Sequence, residues 1–95
     1  MAVTIIIPTP LRQFAGGSTQ LVFEASKVGE ALDSLTTKYT ELRKHLYNDQ
    51  NALRSFVNVY VNDEDIRHAQ AVETPVTDGD TVMIVPSSAG GGGKQ

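Results

Sequence analysis

Apolar and polar residues alternate along several short segments of the chain, and this pattern predicts strands. The first predicted strand, Val3 to Ile7, is β-branched throughout, ends at a proline and places its odd-numbered residues on one face. A second strand is predicted from Gln20 to Ala25. The Gly16-Gly17 pair between them predicts a turn, because no Gly-Lys-Ser/Thr sequence follows to make it a phosphate loop. The two strands are therefore expected to form a hairpin.

Two further strands are predicted in the second half of the chain. Ser55 to Val61 alternates strictly, with its odd-numbered valines on one face. Asn62 to Asp65 predicts a polar turn, and Ile66 to Ala71 a short strand or irregular segment. The last strand is predicted from Thr81 to Val85, after a turn in which Gly79 takes a positive φ.

Apolar residues that recur at steps of four and three predict a helix between these pairs of strands. Ser26 is the predicted N-cap, and the main helix is expected from Lys27 to about Lys38. Threonines weaken its continuation, so a shorter helical turn is expected from about Glu41 to Leu46, followed by a loop. The stripe is predicted to be core and consists of Val28, Leu32, Leu35, Tyr39, Leu42 and Leu46.

Strands that bracket one central helix predict an α+β fold, a mixed sheet of four to five strands with the helix across one face. If the helix covers the face of Val57, Val59 and Val61, the opposite face is more apolar than a solvated surface requires. That face is a candidate docking surface for a partner, although scattered exposed apolar residues are also ordinary. Its predicted residues are Ile6, Phe56, Tyr60, Met83 and Val85.

Composition narrows the possible functions. The chain has 95 residues, a net charge of −3 and no cationic run, so one domain is expected and a nucleic-acid groove is not. It has neither an apolar segment long enough to span a bilayer nor a signal-peptide pattern, and a cytoplasmic location is expected. The chain contains no cysteine. Sulfur or acyl chemistry would therefore have to use a carboxyl or hydroxyl group.

The remaining candidate chemical groups favour structural interpretations. Asp63, Glu64 and Asp65 lack the alternating spacing and the glycine of a calcium loop, so a solvated turn is predicted instead of a metal site. His45 and His68 occur in no catalytic or zinc-binding motif and are interpreted as surface or boundary residues. No metal site, bound cofactor or enzymatic activity is predicted for the folded body.

The end of the chain is small, nearly uncharged and rich in glycine. We expect a folded domain over residues 1–86 and a flexible tail over residues 87–95. Because glycine has no Cβ, Ala89, Gly90 and Gly91 could thread through a channel too narrow for larger side chains. Six residues from Pro86 to Gly91 would reach about 20 Å. The alternative is a disordered end with no function.

These features resemble the ubiquitin-like sulfur carrier proteins of the β-grasp fold, which include the thiamine carrier and the small subunit of molybdopterin synthase. Within that family, the chain resembles in particular the sulfur carrier of a bacterial cysteine-biosynthesis route. The resemblance covers nearly the whole domain and is carried by Ile7 to Arg12 with Gly16-Gly17, Phe56 to Asp65, and Asp78 to Gly91.

The resemblance implies chemistry at the terminal carboxylate of the tail. A ubiquitin-activating-type adenylyltransferase would use ATP and Mg²⁺ to adenylate the terminal glycine, and a sulfur donor would convert it to a thiocarboxylate. A cysteine-synthase-like enzyme holding pyridoxal phosphate would receive the sulfur, and a zinc-dependent protease of the JAMM type would release the product. Molybdopterin or thiamine synthesis, protein modification and an inert interaction domain remain alternatives.

The chain departs from this family pattern at its end, where four residues follow Gly91. A carboxyl group held in a peptide bond cannot be adenylated. The chain is therefore expected to be a precursor that is trimmed after Gly91, with cleavage after Gly93 as the second possibility.

Overall fold

The computed structural model describes residues 1–86, so the predictions for residues 87–95 lie outside the described part of the chain. Its sheet has five strands in the order β2-β1-β5-β3-β4. β1 and β5 are parallel, and the other neighbouring pairs are antiparallel. The last long strand thus lies at the centre of the sheet. The strands are β1 Ala2–Ile6, β2 Gln20–Glu24, β3 Val57–Val61, β4 Glu64–Asp65 and β5 Thr81–Pro86.

Two α-helices lie between β2 and β3 in the chain, α1 from Val28–Lys38 and α2 from Arg43–Leu46. A 3-10 turn at Thr40–Leu42 separates them, as the weak helix propensity of the threonines predicted. None of the helices within residues 1–86 is both long and apolar enough to cross a membrane. Further 3-10 turns occur at Thr9–Phe14, Ile66–His68 and Ala71–Glu73.

The core lies between α1 and one face of the sheet. The odd-numbered residues of β1 and the even-numbered residues of β5 point into it, and Val57 and Val59 extend it across β3. Burying each such aliphatic side chain contributes about 1.5–3 kcal/mol. The predicted stripe is core along most of its length, because only Tyr39 among its six members is partly exposed. The predicted α+β class and the mixed sheet with one covering helix are confirmed.

Several predicted boundaries are wrong. β1 begins and ends one residue earlier than predicted, β2 ends at Glu24, and β3 begins at Val57. Ser26 is not the N-cap; α1 begins at Val28 with Lys27 as N-cap. Lys27 forms a β-bridge with Pro75, which keeps its backbone extended, while the Ser26 hydroxyl donates to the Glu30 carboxylate at 2.9 Å. At the end of β5 the strand continues through Pro86.

The structure also differs from the prediction in two irregular regions. The segment after Pro8, which carried no prediction, forms a 3-10 helix with a proline in its first turn, where the missing N–H costs nothing. The fourth strand is only Glu64–Asp65, inside the predicted turn, and of the two alternatives for Ile66 to Ala71 the strand is wrong, because this segment begins with the 3-10 turn Ile66–His68. By contrast, the positive φ of Gly79 is confirmed at +86°.

Candidate interaction surface and tail exit

The face of the sheet opposite α1 is called the outer face here. Ile6 and Tyr60 both pair with Met83, so the three residues form one row across the central strands. All three side chains are half-buried. Val85 is 38% exposed and lies two residues beyond Met83 on the same side of β5. The structure therefore brings together four of the five predicted docking residues.

Phe56, the fifth predicted docking residue, lies outside this row. It precedes the first residue of β3 and is 37% exposed. Val57 is paired with Pro86, so Phe56 lies beside the end of β5. It lines a surface depression of about 470 Å³, called the exit depression here. The other lining residues are Pro10, Leu11, Lys44, His45, Arg54 and Pro86.

The exit depression is held in shape by contacts between α2 and the segment before β3. The Arg54 backbone N–H donates to the Leu46 carbonyl at 2.9 Å, and its Nε donates to the Lys44 carbonyl at 3.0 Å. The His45 ring stacks on Phe14 with centroids 4.2 Å apart, and its buried Nε2 has no hydrogen-bond partner within residues 1–86. These hydrogen bonds to backbone carbonyls hold Lys44 and Arg54, which are ten residues apart in sequence, on the same side of the exit depression.

The opposite end of β5 is anchored by the turn at Asp78 to Asp80. Asp78 Oδ1 accepts from the Ala2 N–H at 2.6 Å, which ties the turn to the start of β1. Asp80 accepts from the Thr77 N–H at 2.8 Å and from the Asn62 side chain at 2.9 Å, and these bonds lower the pKa of Asp80. The turn thus fixes where β5 starts and, through the strand, where Pro86 lies.

The acidic segment after β3 makes structural contacts. Asp65 pairs with Arg67 at 3.1 Å, and the hydrogen bonds from Arg67 lower the pKa of Asp65. Arg67 also donates to Asn58. Within residues 1–86, no group of three His, Cys, Asp or Glu side chains is placed to share a metal ion.

Sequence reasoning missed the grouping of Lys44 and Arg54 with Phe56. The adjacent residues Arg43 and Lys44 were a signal for local positive charge, although they are too few to make a cationic run. Nothing in the sequence indicated that Arg54 would join them, because its position depends on hydrogen bonds to α2. The predicted tail residues Ala89, Gly90, Gly91 and Gly93 lie outside the described residues.

A mixed sheet covered by one helix, with the last strand at its centre, defines a β-grasp, ubiquitin-like protein. Residues 5–91 match the ThiS family, and the chain belongs to that family. The resemblance to the ubiquitin-like sulfur carriers is therefore confirmed.

Similar proteins of known sequence or structure span almost the whole chain. Sulfur carrier protein CysO of Mycobacterium tuberculosis H37Rv is 38% identical over 93 residues, which is 96% of this chain and 100% of the relative. The chain is 39% identical to one in the crystal structure of the Amycolatopsis orientalis BexX/CysO complex, with TM-score 0.84 and coverage of 94% and 99%. The small archaeal modifier protein SAMP1 of Methanosarcina acetivorans is 31% identical, with TM-score 0.83 and coverage of 95% and 96%.

Proposed function

We propose that this protein is a sulfur carrier that holds sulfur as a thiocarboxylate on Gly91 and delivers it for cysteine biosynthesis in the cytoplasm. The observation that carries the proposal is the extent of the family match, which runs from residue 5 to residue 91. The 38% identity with a sulfur carrier protein over that protein's full length supports the same function.

The proposed chemistry takes place on the carboxylate of the tail. A carboxylate is a poor electrophile, so an adenylyltransferase of the ubiquitin-activating type would first join it to AMP, using ATP and Mg²⁺ and releasing pyrophosphate. Sulfur from a donor would then attack the acyl carbon, forming a carbon–sulfur bond as the bond to AMP breaks. Gly90 and Gly91 carry no side chains to obstruct either approach. The carrier binds no cofactor and supplies only a positioned sulfur.

Processing is required before this chemistry, because the carboxyl of Gly91 is in peptide linkage to Gly92. A zinc-dependent protease of the JAMM type would hydrolyse this bond. Cleavage after Gly93 remains the second possibility, since it would also leave a terminal glycine.

The outer face is the proposed docking surface for the partners. Ile6, Tyr60 and Met83 provide a continuous apolar row, and Val85 extends it towards the tail. Phe56 adds a further apolar contact at the exit depression. The receiving partner would be a cysteine-synthase-like enzyme whose aminoacrylate, bound to pyridoxal phosphate, is attacked by the thiocarboxylate.

Intact-mass spectrometry of the protein purified from its own cells tests this proposal. The expected species ends at Gly91 and is heavier than the carboxylate form by the difference between sulfur and oxygen. Oxidation of one of the two methionines gives the same nominal shift, so the sulfur must also react with a thiol-specific alkylating reagent. The chain has no cysteine to interfere with that reaction. A persistent full-length species that never becomes alkylated would contradict the proposal.

Two other functions make different predictions. A carrier for molybdopterin or thiamine synthesis would capture a large molybdopterin-synthase subunit or a thiamine-synthesis enzyme instead of a cysteine-synthase-like enzyme. A protein modifier is the second alternative, favoured by the similarity to SAMP1 of Methanosarcina acetivorans. A modifier would form higher-mass adducts that survive thiol reductants.

A further inference from the structure

The end of the sheet where β1 and β5 begin is rich in carboxylates and is called the acidic end here. Glu24 pairs with the N-terminal ammonium group at 3.0 Å, and Asp78 binds the Ala2 N–H. Asp80 is joined to Asn62, beside the tight turn into β4. Asp63 and Thr81 line one surface depression, and Glu64 pairs with Val61, which also pairs with Val82. Five carboxylates therefore lie at the starts of these two strands. They belong to Glu24, Asp63, Glu64, Asp78 and Asp80.

The opposite end, where β5 ends at Pro86, carries cations and is called the tail-exit end here. Among residues 1–86, the charged residues that line the exit depression are Lys44 and Arg54, and no carboxylate lines it. Arg12 lies at the same end, with its Nε donating to the carbonyl of Ile7 at 2.9 Å. The whole chain has a net charge of −3, so these cations make the tail-exit end locally positive on a negatively charged protein.

These cations are available for contact. The side chain of Lys44 is 67% exposed, and its ion pair with Glu41 is long, at 3.8 Å. Exposed pairs of this kind contribute only about 0–1 kcal/mol, so a partner can displace Glu41 at little cost. Within residues 1–86, only Nε of the Arg54 guanidinium has a hydrogen-bond partner. The backbone orients Arg54 while its terminal nitrogens stay free to donate.

Building on the function proposed above, we propose that the tail-exit end binds an acidic segment at the mouth of the channel that receives the tail. Pro86 lines the exit depression, so any protein that takes the following residues must come close to Lys44 and Arg54. Carboxylates at that mouth would attract this end and repel the acidic end. The carrier would therefore approach its partner with the tail first, which raises the rate of productive encounters.

A second copy of the chain fits the tail-exit end less well than a partner does. Its acidic end has the complementary charge, but such a contact joins two different surfaces. Contacts of that kind either close into rings or continue as open chains. They would also cover the point where the chain leaves β5, which the proposed function needs to be accessible.

A matched pair of charge reversals tests the proposal. The processed carrier would be incubated with its adenylyltransferase and ATP, and kcat/KM for pyrophosphate release would be measured at low and high ionic strength. Lys44→Glu is expected to lower kcat/KM about tenfold at low salt, and less at high salt because the charges are screened. Lys27→Glu makes the same change in net charge near the acidic end, where Lys27 pairs with Glu73, and is expected to have less than about a twofold effect.

A second pair reverses the sign of the change. Glu41→Lys adds positive charge beside Lys44 and is expected to raise kcat/KM at low salt, whereas Glu64→Lys at the acidic end is not. Both positions are exposed, so the substitutions are expected to leave the fold intact, and circular dichroism checks this.

If each variant matched its control while the wild-type carrier was activated normally, the proposal of an acidic segment at the channel mouth would be wrong and the carrier function would stand. If the wild-type carrier were never activated, both proposals would fail. If the charge reversals changed only the self-association of the carrier, measured by sedimentation, the tail-exit end would bind a second copy of the chain and the proposal of an acidic partner segment would be wrong.

Discussion

Gly79 sets the start of β5 through its backbone conformation. Its φ is +86°, and a Cβ added there would meet no heavy atom within 4 Å, so steric crowding by other residues is not a factor. Gly79→Ala is therefore expected to lower the free energy of unfolding by about 1–2 kcal/mol, the cost of left-handed backbone for a residue with a Cβ. Urea denaturation measures this loss. Gly79→Asn should lose less, because asparagine tolerates this conformation; equal losses would contradict the backbone explanation.

Asp80 should make stability depend on pH. The Thr77 N–H and the Asn62 side chain bind its carboxylate and lower its pKa in the folded protein. A lowered folded-state pKa means that the stabilisation is present above the unfolded value of about 3.9 and is lost as the pH falls through the folded-state pKa.

Asp80→Asn tests this pH dependence through thermal unfolding between neutral and strongly acidic pH. The variant is expected to melt below the wild type at neutral pH, and the difference should shrink as the pH falls below about 4. Asp49→Asn, in the loop after α2, controls for the general effect of removing one negative charge. A Tm difference between wild type and Asp80→Asn that stayed constant with pH would contradict the assignment.

At the scale of elements, adjacent residues of β5 have different roles, because one side of the strand packs in the core and the other side lies on the proposed docking surface. Val82 is fully buried in the core, whereas Met83 lies in the row on the outer face. Val82→Ala is expected to cost on the order of 2 kcal/mol of stability. Met83→Ser should cost less stability but slow sulfur transfer to the proposed cysteine-synthase-like partner. Urea denaturation and a single-turnover transfer assay measure the two effects. Normal transfer by Met83→Ser would remove the outer face from the proposal.

The regular elements could be predicted because their signals are local. The alternation around Val59 and the helical spacing from Val28 to Leu46 each repeat over several residues, and a repeat determines which side is buried. The start of α1 was missed because the Lys27–Pro75 bridge sets it, between residues far apart in the chain. β4 is two residues long and is defined by its pairing with Tyr60 and Val61. Two residues are too few to show the alternation of apolar and polar positions that predicts a strand.

At the scale of the whole molecule, the sequence predicted the glycine-rich chain end that is characteristic of the family. It did not predict which residues form the exit depression. The glycine run and the turn before β5 identified the family from short motifs. The exit depression combines residues from four separate segments, beginning with Pro10 and ending with Pro86. Such a surface exists only after the sheet has closed.

The terminal residues provide a test of the complete carrier. Full-length protein is expected to give no pyrophosphate with the adenylyltransferase and ATP, because Gly91 has no free carboxyl. The same chain ending at Gly91 should be activated without any protease. Changing Gly90 and Gly91 to bulky residues in that shortened chain should abolish activation by blocking the channel. Replacing Ser87 and Ser88 with alanine is the matched control and should leave activation intact. Rapid activation of the full-length chain would contradict the requirement for processing.

The parallel pairing of β1 with β5 has a mechanical consequence. A pull applied between Met1 and Pro86 would load the hydrogen bonds around Thr4–Thr81, Ile5–Val82 and Ile6–Met83 in shear. Bonds loaded in shear share the force and must break together, whereas bonds at a peeling edge break one after another. β3 pairs with the other side of β5 from Val82 to Pro86. A molecular machine that pulls on the protein beyond Pro86 would therefore load β5 in shear against both neighbouring strands, and the sheet would resist unfolding.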